Sequence, residues 1–177
     1  MPNHLVITLT GDDRVGVVDD VTKIFLANHA NVESSRMARL GGVFAMLMLV
    51  AVAEDKQTEF QVALDGLRSQ GFELSIRPTV RGVSKKFTGW HKYQLNVRGA
   101  DHEGIIHEIM HHLAQQGASV ESADTGTEDA PFGAMKLFIM SAMVFTPPTL
   151  SLEHLQEELE AIGNQLNVDV EIAPYID

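Results

Sequence analysis

The chain has 177 residues, 45% of them apolar, 21% charged and 6% aromatic, which suits one or two domains with an ordinary packed core. Thirteen Lys+Arg stand against 24 Asp+Glu, a formal charge of −11; nucleic-acid binding relies on phosphate neutralisation, so this chain is a poor direct binder of DNA or RNA. The absence of cysteine excludes disulfides, thiolate catalysis and Cys-ligated zinc, and fits a reducing compartment.

Met1-Pro2-Asn3-His4 runs straight into an alternating segment with no basic region before an apolar block, so no signal peptide is read and a cytoplasmic protein is expected. Leu5–Thr10 alternates as a first strand, followed by the turn Gly11-Asp12-Asp13. Val17, Val18, Val21, Ile24 and Phe25 then recur at helical spacing up to His29. Asp13 is placed to accept hydrogen bonds from the first helix amides, and Gly16 to permit a close backbone approach. Val32–Leu40 reads as a second strand, Gly41-Gly42 as a hairpin turn and Val43–Ala53 as a third strand. That third strand is apolar on both faces, which places it inside a sheet, and its eleven residues are too few to span a bilayer as a helix. Phe60, Leu64 and Leu67 mark a second helix ending near Gly71, and Phe72, Leu74 and Ile76 alternate in a fourth strand.

Residues 81–92 carry Arg81, Lys85, Lys86 and Lys92 with no acid and show no apolar period, so they read as a basic linker between a first domain, 1–80, and a second, 93–177. The second domain repeats the plan. Tyr93, Leu95 and Val97 alternate; Ile105, Ile106, Ile109, Met110 and Leu113 mark a helix; Leu137–Phe145 is a central strand. Leu152, Leu155, Leu159, Ile162 and Leu166 stripe a second helix, and Val168, Val170 and Ile172 close the sheet. At an offset of 88, Gly11, Asp13, Gly16, Ala30, Val32, Glu33 and Ser34 are identical to Gly99, Asp101, Gly104, Ala118, Val120, Glu121 and Ser122. The offset is 96 where Ile76-Arg77-Pro78 meets Ile172-Ala173-Pro174, consistent with a longer loop at Thr125–Gly133 in the second copy. Each copy therefore reads β-α-β-β-α-β, an α+β ferredoxin-like unit with a four-stranded antiparallel sheet and both helices on one face. The bare sheet face calls for a cover, from the sister domain or a second chain, so a homo-oligomer is expected.

Several families share that fold, and the sites decide between them. The third strand lacks the basic and aromatic set of RNA-recognition domains, and metal-chaperone versions need a cysteine pair. Gly11-Asp12-Asp13-Arg14-Val15-Gly16-Val17-Val18, followed by His29-Ala30-Asn31-Val32, resembles the ACT domain, a small regulatory module that commonly binds amino acids. Two such domains in a chain of this length, with Ala130-Pro131-Phe132-Gly133-Ala134-Met135, Pro147-Pro148 and Val168-Asp169-Val170 in the second, are similar to the glycine cleavage system transcriptional repressor family. ACT pairs also precede formyltetrahydrofolate deformylase and phosphoserine phosphatase domains.

A loop entering a helix offers free amide N–H groups and the positive end of the helix dipole, which suits a carboxylate, while an acid in that loop can receive an ammonium group. The resemblance implies a ligand lying between this loop of one domain and the start of the second strand of its neighbour. That points to Asp13, Arg14, Val15, Gly16 and Asn31 in the first copy, and to Asp101, His102, Glu103, Gly104 and Ser119 in the second. Glu103 adds negative charge where a ligand carboxylate would approach, which favours the first loop. The competing reading makes Asp13 and Asp101 simple N-caps.

His107-Glu108-Ile109-Met110-His111 matches the zinc-protease pattern H-E-x-x-H. The buried stripe of that helix puts the histidines on its solvent side, the first copy has Asp19-Asp20-Val21-Thr22-Lys23 in their place, and no third ligand is evident. Met46, Met48, Met135, Met140 and Met143 read as core filler. The resemblance thus implies a non-enzymatic regulator without a cofactor. It would bind a small amino acid, glycine first, and act on a protein partner such as a DNA-binding activator. The alternatives are an ACT regulatory or oligomerisation subunit of a metabolic enzyme and, on the His107/Glu108/His111 motif, a zinc hydrolase.

Overall fold

Leu5, Ile7 and Leu9, alternate residues of one strand, are fully buried, and this period-two pattern sets which face of the first sheet meets the helices. The computed structural model describes residues 2–80, 87–130 and 135–176, and the chain divides into two units, Met1–Val83 and Ser84–Asp177. In the first unit the elements are β1 (Pro2–Asp12), α1 (Val17–Ala27), β2 (Asn31–Leu40), β3 (Val43–Ala53), α2 (Gln57–Asp65) and β4 (Glu73–Thr79). In the second they are β5 (His91–Ala100), α3 (Ile105–Gln115), β6 (Ser119–Asp129), β7 (Lys136–Thr146), α4 (Leu152–Leu166) and β8 (Val168–Pro174).

The two sheets are fully antiparallel between neighbours, in the orders β2-β3-β1-β4 and β6-β7-β5-β8. These are two ferredoxin-like units. The doubly apolar strand β3 is indeed internal: Phe44, Met46, Met48, Val50 and Val52 face the helices, and the alternate residues face away. Val17, Val21 and Phe25 of α1 and Phe60 and Leu64 of α2 close the first core, with the Phe25 and Phe60 rings edge to face at 5.3 Å. Ile105, Ile109 and Leu113 of α3 and Leu155 and Leu159 of α4 do the same over β5 and β7. Each such fully buried side chain contributes about 1.5–3 kcal/mol of transfer free energy. Among the described residues no helix is long and apolar enough to cross a membrane.

Several expectations need correction. The second helix stops at Asp65, and Leu67 lies in a separate turn before a short 3-10 segment, though it remains fully buried. The anticipated long loop Thr125–Gly133 is largely strand: β6 continues through Asp129, because each of Thr125–Asp129 finds a partner on β7 from Met140 to Lys136. Gly11 lies opposite Phe44 and Gly99 opposite Phe138. The offset between copies has thus already risen to 94 across the hairpin, and the inserted residues extend its tip; residues 131–134 lie outside the described residues. Of the methionines, Met46, Met48 and Met140 are buried, but Met135 is exposed just ahead of β7. The expected linker falls partly on 81–86, also outside the described residues. Beyond it, Phe87 stacks on Phe145 at 5.4 Å and meets Trp90 at 4.9 Å, and His91 and Lys92 already belong to β5.

Gly11 and Gly99, identical in the repeat, owe their identity to close packing. A Cβ on Gly99 would lie 2.6 Å from Val168 Cα and 2.7 Å from the Asn167 carbonyl oxygen, and one on Gly11 would enter the Phe72 ring. Replacing Gly99 by Ala is therefore expected to destabilise the second unit by about 1–3 kcal/mol. Gly126→Ala, whose Cβ would meet only the Ile139 side chain at 3.7 Å, should change stability by less than about 1 kcal/mol; urea unfolding of the two variants checks the contrast.

Candidate functional site

The turn from β1 into α1 is made by Gly16, which stands at the helix N-cap with φ 91° and no side chain capping the helix amides. Gly104 does the same for α3 at φ 97°. Helix α4 provides the contrast, with Ser151 as an N-cap whose hydroxyl accepts from the His154 N–H. The first turns of α1 and α3 thus keep amide N–H groups with no side-chain cap, at the positive end of the helix dipole.

Two expectations fail at this point. Asp13 is not a cap: its carboxylate pairs with the Arg39 guanidinium of β2 at 2.7 Å, and its N–H donates to the Gly42 carbonyl at 3.0 Å. The three residues between Asp13 and the helix carry it past the first amides and onto the β2–β3 hairpin. Asp101 likewise donates its N–H to the Lys136 carbonyl at 3.0 Å, and the cap of α3 is Gly104. Gly16 does not serve close approach either, since nothing lies within 4 Å of a Cβ placed there. It is glycine because its backbone is left-handed, a region that costs other residues about 1–2 kcal/mol.

Arg14 is tied into its own domain. Its guanidinium pairs with Asp20 at 2.8 Å, donates to Gln70 Oε1 at 3.0 Å and lies 5.6 Å from the centre of the Phe72 ring. Val15 is wholly exposed. In the second copy His102 takes the place of Arg14, with Nδ1 2.9 Å from the Glu103 carbonyl oxygen and Nε2 2.6 Å from that of Leu166, the last residue of α4. Asp101, His102, Glu103 and Gly104 border an open hollow of about 620 Å³ with His107, Met110 and Phe138.

The candidate residues do not all meet within a unit. The loop follows Asp12, which pairs with Val43, while Asn31 pairs with Ala51 at the other end of β3. Asn31 therefore lies at the opposite end of the sheet from Asp13, Arg14, Val15 and Gly16. Ser119, paired with Phe145, is separated in the same way from Asp101–Gly104. At the Asn31 end a second hollow of about 650 Å³ is bordered by His29, Glu54 and Asp55, with Pro2 and Ala51–Ala53. Of these polar neighbours, His29 belongs to the motif quoted above, while Glu54 and Asp55 lie outside the predicted site. The available signals were an acidic pair directly after the third strand and a histidine between helix and strand, which the structure holds at φ 53°. The shared Val-Glu-Ser sequence also acquires a meaning: Glu33 and Glu121 are the extra residues of a β-bulge in β2 and in β6, and Glu33 lies 3.5 Å from His4.

The H-E-x-x-H residues sit where the helical period put them. His107, Glu108 and His111 are exposed, and the two imidazole rings stack at 5.6 Å. His112 turns instead to Glu158 of α4 at 3.2 Å. Among the described residues, no group of three or more His, Asp or Glu is arranged to hold a metal ion.

Both ring nitrogens of His102 face carbonyl oxygens, and only the imidazolium has two N–H donors. The hydrogen bond to Leu166 is the main cause of a pKa raised above the ordinary value, followed by that to Glu103, with burial opposing and Asp101 adding a smaller attraction. A raised folded-state pKa means that this contribution to stability is complete below about pH 6.5 and is lost as pH rises through the folded value. Proton NMR titration should show His102 titrating above a free histidine. The stability of the second unit should fall across that interval in the wild type and lose this component in His102→Gln.

The ACT domain model matches residues 3–77, from β1 to β4. The UPF0237 protein of Methanococcus maripaludis is 34% identical over 77 residues, 42% of this chain and 86% of that protein. The glycine cleavage system transcriptional repressor of Escherichia coli is 41% identical over 49 residues, which span 28% of this chain and 26% of the repressor. A crystal structure of a protein of unknown function from Galdieria sulphuraria superposes with a TM-score of 0.86 at 33% identity, covering 99% of this chain and all of that one.

Proposed function

This chain belongs to the ACT-domain family, a regulatory rather than catalytic family related to the glycine cleavage system repressor, and on that premise we propose that it senses a small amino acid and passes the signal to a protein partner. The observation that carries the reading is the pair of helix starts turned by Gly16 and Gly104, whose amides no side chain caps. A carboxylate would accept hydrogen bonds from such amides. In the first copy, Asp13, Arg14, Val15 and Gly16 would hold the ligand from one domain, and Asn31 of a neighbouring domain would complete the site. The polar wall of His29, Glu54 and Asp55 beside Asn31 suits the ammonium end.

Asp101, His102, Glu103, Gly104 and Ser119 would form the counterpart. We assign the first loop the higher affinity, because the second copy has Glu103 in place of Val15, which adds negative charge where a ligand carboxylate would approach. Glycine is the first ligand to test and serine the second. The downstream contact in this reading is with protein, a DNA-binding activator in the cytoplasm, since a molecule of net charge −11 is repelled by phosphate backbones.

Calorimetric titration with glycine, serine and a panel of other amino acids tests the reading. A saturable signal is expected from one of them, lost in Asp13→Ala and in Asn31→Ala. Among the described residues the Asp13 side chain is held by a surface pair with Arg39, so Asp13→Ala should cost no more than about 1 kcal/mol of stability. Silence across the panel from folded protein would remove the amino-acid assignment.

A further inference from the structure

The hairpin end of β2 carries a cation beside the first turn, Arg39, which lies outside the candidate set. Arg39 is opposite Phe44, and Phe44 is opposite Gly11. Directly opposed residues of antiparallel strands point to the same face of the sheet, and Phe44 is buried beneath the helices. Arg39 therefore leaves β2 on the helix-bearing face, at the end where the chain turns from β1 into α1. There its Nε meets Oδ2 of Asp13 at 2.7 Å.

A guanidinium presents its N–H donors as a rigid planar fork, and the contact with Asp13 engages Nε alone. Among the described residues the two Nη groups of Arg39 have no hydrogen-bond partner. The Arg39 side chain is 70% exposed and that of Asp13 only 23%, so the carboxylate is the anchored member of the pair and the outer edge of the guanidinium faces solvent. Arg14, the other guanidinium of this turn, is committed to Asp20, Gln70 and the Phe72 ring. A fork fixed at one corner and open along its Nη1–Nη2 edge is suited to a carboxylate, which accepts two parallel hydrogen bonds from it. In the second copy Thr127, opposite Phe138, stands where the first has Arg39, and it brings no charge.

We propose that Arg39 binds the ligand carboxylate at the first loop, and that Asp13 is a positioning residue that holds the guanidinium in place rather than a contact for the ammonium group. The assignment rests on the amino-acid reading and deepens it, adding a residue of β2 to those of the turn. It also narrows the ligand class: the carboxylate must be free, so the amide of the same amino acid is a poor ligand. The ammonium end is left to the polar wall beside Asn31. The absence of a cation at Thr127 gives a second reason for the first loop to bind more tightly than its counterpart.

Calorimetric titration of the full chain with glycine, and with glycinamide, which keeps the ammonium and lacks the carboxylate, provides the test. Arg39→Gln should weaken glycine binding by at least about tenfold. Arg39→Lys should recover only part of the loss, because an ammonium has no fork. Glycinamide should bind the wild type weakly and Arg39→Gln no more weakly. Asp13→Asn should also weaken glycine binding, and the double variant Asp13→Asn/Arg39→Gln should bind no more weakly than Arg39→Gln alone, since both changes remove one contact. Arg36→Gln, opposite the outward-facing Leu47, should leave the affinity within about twofold. The Asp13–Arg39 pair lies at the surface, so circular dichroism should be unchanged. Wild-type affinity for glycine in Arg39→Gln, an equal loss with glycinamide, or additive losses in the double variant would overturn the assignment and leave the amino-acid reading standing. No glycine signal from the folded wild type would overturn this assignment together with glycine as the ligand.

Discussion

Two helices cover one face of a four-stranded sheet and no more, and most of this molecule follows from that limit. Each core is one-sided, drawn from Leu5, Ile7 and Leu9 with the inward row of β3 in the first unit, and from Leu95, Val97 and the inward row of β7 in the second. The helix between β1 and β2 must return the chain to the starting end of β1, because those strands are parallel with β3 between them. The glycine turn and the start of β2 therefore lie at opposite ends of the same sheet. Outward-facing positions are freed from the core, and there Arg36 and Leu47 of the first copy stand where the second has Asp124 and Ser141.

The interior was legible from the sequence because burial imposes a period. Val17, Val21 and Phe25 repeat with a helical turn, and Phe44, Met46, Met48, Val50 and Val52 with a strand pleat, and all of them are buried. The edge was not legible in the same way. Thr125-Gly126-Thr127-Glu128-Asp129 has the composition of a loop, yet its backbone groups are satisfied by β7. An edge strand exposed on both faces has no hydrophobic alternation to announce it.

The turn needs Gly16 for its left-handed backbone and not for close approach, and its acid Asp13 does not cap the helix. Local preference recommends Asp as a cap. Only the three-dimensional path shows that Arg14, Val15 and Gly16 intervene and send Asp13 to Arg39. Nor does spacing along the chain reveal that Asn31 and Asp13 are at opposite ends, since β1 and α1 traverse the sheet in opposite senses before the second strand begins.

Arg14 and His102 show one architectural task solved with different chemistry. Each follows the turn aspartate of its copy, Arg14 reaching Gln70 beyond α2 and His102 reaching the carbonyl of Leu166, the last residue of α4. Arginine stays charged at any accessible pH, so the first loop is anchored unconditionally. Histidine donates to two carbonyls only when protonated, so the anchor of the second loop depends on pH. If the uncapped amides of these turns receive a ligand completed by another domain, binding and association share one equilibrium. The ligand then shifts assembly by no more than its preference for the assembled state, typically about 1–3 kcal/mol. A coupling of that size acts as a regulator only if association is itself close to balance.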